Sequence, residues 1–283
     1  MTEEQEYAVE ALPNWLSESA KAERLDKALL GRTEGKVQTL VDRLLHDPEI
    51  AVYHGYANVV SVRRLGFNDH GPVHARLTTY NALKILKYLR KGGVEPSLVK
   101  EEVGTFEDSQ VAVALGCFLH DLGMGVTRES HEWHSLLFAD EYIVRHLAAL
   151  YPEGDPLRGV IRSMAHEIIV GHMAQSRIHS IEAGAVLVAD GTDMAGGRAR
   201  IPTLLSRDPA VGDIHRHSAS AVTRVEIGPG ESKPVRITVS MENLTGTFQV
   251  EEVLMTKVKA SPIMSHLEVC VVVGEEPPRF YLR

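Results

Sequence analysis

One stretch constrains this chain more than any other: SQVAVALGCFLHD, residues 109–121. It is apolar on nearly every side, so a helix built from it must lie at the centre of a fold, wrapped by other helices. It then ends on His120-Asp121. An imidazole beside a carboxylate, closing an apolar run, is costly to bury without a partner. A metal ion would suit both groups. A hydrogen-bonded His-Asp pair would also serve, so the dipeptide alone decides nothing and the surroundings must.

Helical patterning dominates the chain. Amphipathic helices are predicted around 14–30 and 35–46, punctuated by Gly31 and Pro48, and a third segment runs over 51–65 into GFNDHG. Pro72 opens a long helix that stops at Gly92-Gly93. Residues 93–107 read as a connecting loop, and Asp108 or Ser109 as the cap of the central helix. Helices around 130–150 and 157–173 follow, and a buried one from 180 to 189 ends at Asp190-Gly191. After about residue 218 the texture changes. TRVEI, PVRITVSM and LEVCVVV are rich in β-branched residues, GPGESK reads as a hairpin loop, and GTFQVEEVLMTKV has helical spacing. The expected fold is therefore mainly α, with a small C-terminal α+β (β-β-α-β) appendage closed by a short FYL strand. The expected boundaries are 1–65 for N-terminal helices packing on the core, 66–218 for a metal-binding domain and 219–283 for the appendage.

Composition narrows the class. Two cysteines, Cys117 and Cys270, with no CxxC spacing exclude a disulfide scaffold and a cysteine zinc module. The opening MTEEQEYAVE is too acidic for a secretory signal, and the longest apolar run, 111–119, is far short of the ~20 residues of a membrane span. A cytoplasmic protein is expected, with no membrane partner. The net charge of −8 argues against nucleic acid and tilts towards a small phosphorylated substrate.

Fourteen histidines remain to be explained. His74 falls in the first turn of the 72–91 helix, and Asp190 closes the buried helix before GTDMAGGR. Three apolar helices thus each deliver imidazole or carboxylate at one end, a donor set that suits first-row transition metals, Mn or Mg. His131 and His134 are three apart and could share a helical face. His166 and His172 are six apart and point to different sides, so only one of that pair is expected to be a ligand. His46, His54, His179, His215, His217 and His266 read as surface or packing residues, His70 and His146 are open, and Trp15 and Trp133 read as packing.

The ordered set His74, His120-Asp121, Asp190, in the contexts HARLTTYNAL, LGCFLHDLG and VLVADGTDMAGGR, resembles the HD superfamily of metal-dependent phosphohydrolases. The runs RRLGFNDHGPVHARL, HDLGMGVTRESHEWHS and ADGTDMAGGRAR are similar to a group of archaeal and bacterial HD proteins with a short C-terminal domain. The resemblance spans roughly residues 50–260. It implies an HD helical bundle holding one or two divalent ions (Mn, Fe, Co, Ni, Zn or Mg). The spacing of eighteen residues between His172 and Asp190 resembles small dinuclear members and favours His172 over His166; the context HSLLFADEYI favours His134 over His131. The implied ligands are His74, His120, Asp121, His134, His172 and Asp190, with His131 and His166 in reserve.

The implied reaction is metal-assisted hydrolysis of a phosphoester, with His120 and Asp121 catalytic and Asp121 orienting a metal-bound hydroxide. Arg198, Arg200 and Arg128 would hold the phosphate. Asp69 is a further candidate for substrate or for support of the site. Asp193 would either orient a histidine or cap a turn. The chain lacks the Lys after HD-x-G and the GYP block of cyclic-dinucleotide phosphodiesterases. Two other readings use the same residues: a di-iron oxygenase on the HD fold, and a non-catalytic nucleotide sensor. Self-association is expected to run through the C-terminal module.

Overall fold

The computed structural model describes residues 19–195 and 214–283, with 214–217 described by their backbone. A helical body is built from α1 (Ala20–Leu30), α2 (Gly35–Leu45), α3 (Pro48–Asn58), α4 (Pro72–Lys91), α5 (Ser97–Lys100), α6 (Phe106–Leu119), α7 (His131–Leu150), α8 (Leu157–Gly171) and α9 (Ile181–Gly191). α10 (Ile214–Ala221) then leads into β1 (Val222–Gly228) and β2 (Val235–Met241). The consecutive stretches Thr247–Gln249, Val250–Leu254 and Met255–Ala260 form α11, followed by β3 (Leu267–Val273) and β4 (Arg279–Leu282). The chain is mainly helical with a small C-terminal sheet, as its texture predicts. Among the described residues, no helix is long and apolar enough to cross a membrane.

α6 is the axis of the body. Its residues from Asp108 to Leu119 are buried, apart from a partly covered Gln110, and it packs on α2, α4 and α8. Thr105, not Asp108 or Ser109, caps it. The Thr105 hydroxyl accepts from the Asp108 amide while the Asp108 carboxylate accepts from the Thr105 amide at 2.8 Å, so two unpaired helix-end donors are satisfied reciprocally. Asp108 is the third residue of the helix, which is why it looked like a cap from sequence. Pro48 starts α3 instead of separating segments: Asp47 accepts from the amides of Glu49 and Ile50, and the helix continues through a wider turn, Val59–Arg64. The expected 93–107 loop holds the one-turn α5. α4 stops as predicted, because Gly93 takes a φ of +83° that a side chain would resist.

In the sheet, order β1-β2-β3-β4, β1 and β2 form an antiparallel hairpin, β2 and β3 run parallel across the α11 crossover, and β4 closes antiparallel on β3. Glu268 is buried at the loop between β1 and β2. Burial would raise its carboxyl, but amide and hydroxyl bonds from Ser232, the Arg236 guanidinium and the Glu231 amide hold it down at about 2. The module is seated on the helical body. Gly184 of α9 lies against Ser261, Pro262 and Ile263, and the Ser261 hydroxyl donates to the Gly184 carbonyl at 3.1 Å. One apolar core runs from Leu29 through Leu115 and Val186 to Val271.

Candidate metal centre

The C-termini of α6, α8 and α9 and the N-termini of α4 and α7 meet at one buried point. They bring together His74 (α4), His120 and Asp121 (after α6), His131 (α7), His172 (after α8) and Asp190 (α9), all at 7% exposure or less. Three trios can be drawn among them: His74, His120, Asp121; His120, His172, Asp190; and Asp121, His131, His172. The donor atoms within each trio lie within 4.8 Å of one another.

Each ring is oriented from behind. His120 Nδ1 sits 2.6 Å from the Cys117 carbonyl, His131 Nδ1 2.9 Å from the Arg128 carbonyl, and His172 Nδ1 2.6 Å from the Ile169 carbonyl. His74 Nδ1 sits 2.7 Å from Asp193 Oδ2. Oxygens of this kind only accept, so each Nδ1 carries the proton and donates. The four Nε2 atoms are thereby turned inwards as lone pairs. His74 and His120 bring theirs to 3.1 Å apart, and His131 and His172 to 2.9 Å. Lone pairs facing each other at that range repel unless a cation lies among them. Asp121 Oδ2, buried with no hydrogen-bond donor of its own, adds to the same demand. The donor set is compatible with a bound metal ion.

Electrostatics agree. Burial would raise the Asp121 carboxyl, but the surrounding rings of His120, His70 and His131 hold it well below the ordinary carboxylate value. Asp190 is held down likewise, against burial, by Lys257 and His74. Burial pushes His172 down to about 3, the neutral form that ligates.

The turn after the His-Asp pair explains how α7 comes so close. A Cβ on Gly123 would lie 2.2 Å from the His131 carbonyl oxygen, so only glycine lets the two backbones touch, and Gly123 N donates to Ser135 Oγ at 2.8 Å. His131, the first residue of α7, is carried into the cluster by this docking. His134, which the sequence reading preferred, is not: its ring turns back along its own helix, with Nδ1 3.1 Å from the Ser130 carbonyl. His166 is also outside, with Nε2 2.8 Å from Asp140 Oδ1.

Comparison with known proteins places the chain beside an archaeal relative. It is 39% identical over 256 residues to the uncharacterized protein MJ1020 of Methanocaldococcus jannaschii, covering 90% of this chain and 96% of that one. The chain belongs to that protein's family. No protein-family model matches it, and no solved structure does. All six clustered residues lie in the helical body of this family member.

Other candidates fall around the cluster. Arg128 lies at its rim, Nη1 3.4 Å from His131 Nδ1 and flanked by the sulfurs of Met124 and Met173 at 3.9 and 3.8 Å. Asp193 takes the orienting role on His74. Asp69 accepts from the Gly71 amide at 2.7 Å and so shapes the approach to α4. His70 lies beside His74, with ring centroids 5.6 Å apart and the rings tilted by 55°. Arg198, Arg200, Trp15 and the side chains of His215 and His217 lie outside the described residues.

Lys257 of α11 was not foreseen. Its ammonium pairs with Asp190 Oδ2 and donates to the His172 carbonyl at 3.0 Å. Nothing in a lone lysine of the C-terminal module announces such a reach.

Among the described residues, two further histidines are buried without joining the cluster. His54 Nε2 is 2.8 Å from the Phe118 carbonyl, and burial lowers the ring to about 3. His146 lies 3.4 Å from Asp47 Oδ2, and burial lowers it to about 4. Arg145 pairs with that same Asp47 oxygen and, at 2.7 Å, with Glu49.

Proposed function

We propose that this protein is a metal-dependent phosphohydrolase of the HD superfamily, with an HD helical bundle, cleaving a phosphoester of a nucleotide or another small phosphorylated molecule. The observation that carries the reading is the position of Asp121 between two histidine pairs. Its Oδ2 faces His74 and His120 at 3.2 and 3.3 Å, and its Oδ1 faces His131 and His172 at 3.1 and 3.5 Å. A carboxylate with one oxygen toward each pair would let Asp121 serve both pairs if each held an ion. Asp190 completes the donor set from α9, with Oδ1 3.3 Å from His74 Nε2.

Divalent ions held there would supply Lewis acidity and a water acidified towards neutrality. The protein's own groups do the rest. Asp193 and the three backbone carbonyls keep the rings turned inwards, so no reorientation is needed when a ligand arrives. Asp121 is the carboxylate positioned to align the attacking water. Arg128 beside His131 and Lys257 beside Asp190 offer cations to phosphate oxygens, with Arg198 and Arg200 as further candidates. The reading extends to a cytoplasmic enzyme that self-associates through residues 219–283.

Metal analysis by mass spectrometry on protein purified without added metal, then a phosphoester panel with the metal found, tests it. About two ions per chain and anaerobic phosphate release are expected. If His120→Ala and Asp121→Ala leave every measured activity unchanged, the reading fails. Oxygen consumption without hydrolysis would move the assignment to an oxygenase.

A further inference from the structure

The helices that converge on the metal centre have other ends. α4 starts at His74 and runs away from the cluster; α6 runs towards it and ends beside His120. Where α4 ends and α6 begins, together with the end of α1, they enclose a second pocket of about 240 Å³. At a rise of ~1.5 Å per residue, Lys84 and Arg90 lie ~15 and ~24 Å along α4 from His74, and Phe106 lies ~21 Å along α6 from His120.

The lining of this pocket is cationic. Arg32, Lys84, Lys87 and Arg90 face it, against the single carboxylate of Glu34. Among the described residues none of the four cations is within ion-pair distance of a carboxylate. Two are held in place by aromatic rings: the Arg32 guanidinium lies 4.8 Å over the Tyr80 ring, and the Arg90 guanidinium 4.2 Å over Phe106. Such stacking fixes the planar donor forks in advance, so little freedom is lost when an anion is bound. Lys84 is half-buried, and burial together with neighbouring Arg32 lowers its ammonium, with Glu226 of β1 opposing. Four cations left to repel one another around a concavity, in a chain of net charge −8, mark a place where negative charge is wanted.

We propose that this pocket binds a chain of phosphates, as carried by a nucleoside triphosphate or by inorganic polyphosphate, at a site separate from the metal centre. The two guanidiniums take phosphate oxygens through paired N–H groups, and the two lysines supply compact charge along the chain. The proposal stands on the pocket alone and does not need the metal centre to be catalytic.

Calorimetric titration of the full chain with tripolyphosphate and with ATP tests it. The measurement is made on the wild type and on Asp121→Asn, which separates the pocket from anion binding or turnover at the metal centre. Binding is expected in both. Adding Lys84→Gln with Lys87→Gln to the Asp121→Asn chain should weaken it at least about tenfold. Arg32→Gln with Arg90→Gln is the second variant, should the lysine pair compromise folding. Equal affinity for the two ligands assigns the site to the phosphate chain alone; tighter binding of ATP shows that the nucleoside is also read. Loss of binding in Asp121→Asn itself, affinity unmoved by both cation pairs, or no heat with either ligand at millimolar concentration overturns the proposal.

Discussion

Among the described residues, two places bury histidine beside carboxylate, and they are built on opposite plans. Around Asp121, four rings give their Nδ1 protons to surrounding oxygens and aim their Nε2 lone pairs at a common point. Around Asp47, one ring, His146, lies beside a carboxylate already neutralised by Arg145. The second group is closed by a cation that the protein supplies; the first is left electron-rich at its centre. Burial of a histidine therefore says little about ligation. Convergence of unprotonated nitrogens, each fixed from behind, says a great deal.

The comparison can be broken most forcefully at the two aspartates. Asp121→Asn should strip bound metal and lower phosphoester hydrolysis on the order of a thousandfold, whereas Asp47→Asn should leave metal content as it was. Equal metal loss in both would erase the distinction. Next in size is the choice between two neighbours on α7. His131→Ala should lower activity about a hundredfold, and His134→Ala by no more than about twofold, in steady-state assays; the reverse order would restore the sequence-based preference. Asp193→Asn is expected to weaken metal affinity about 10- to 100-fold in a competition titration with a chelating dye, because His74 loses the acceptor that orients it.

A pH series sharpens the Asp47 side. His146 is lowered to about 4 in the folded protein against an ordinary 6.5, so the unfolded chain binds the extra proton between those values. Its contribution to stability is fully present above pH 6.5 and is lost as pH falls towards 4, by about 2 kcal/mol at pH 5. Urea unfolding of His146→Gln against wild type should show the acid limb flattened by that amount. The smallest effect is expected from Asp47→Ala, which removes the α3 cap and the Arg145 pair at a cost of about 1–2 kcal/mol, read from urea midpoints.

Much of the fold is legible in the residues. Proline at the start of α4, glycines at its end, the unbroken apolar run of α6 and the β-branched strands each act locally, so their elements fall within a few residues of expectation. Details that depend on the third residue of a helix do not: Asp108 works as one half of a reciprocal cap with Thr105. Four of the six clustered donors follow from their places at the ends of apolar helices, and His172 came with the family resemblance. The sixth turned on which of two histidines on one face meets α6, and that is set by Gly123 touching the backbone of α7, a contact no spacing rule contains. Lys257 was invisible for a stronger reason, since it arrives from a separate module through packing on α9.

That lysine sets an order of events in the making of the protein. The last of the six clustered donors, Asp190, is synthesised 67 residues before Lys257. A ribosome-bound chain can thus gather its histidines and aspartates while one of its two carboxylates still lacks its protein cation. Only when the crossover helix has emerged and settled on α9 does the charge of Asp190 reach its final balance. The centre is finished by a segment made after every clustered donor, and a product cut short before residue 257 would carry all six donors in a different electrostatic setting.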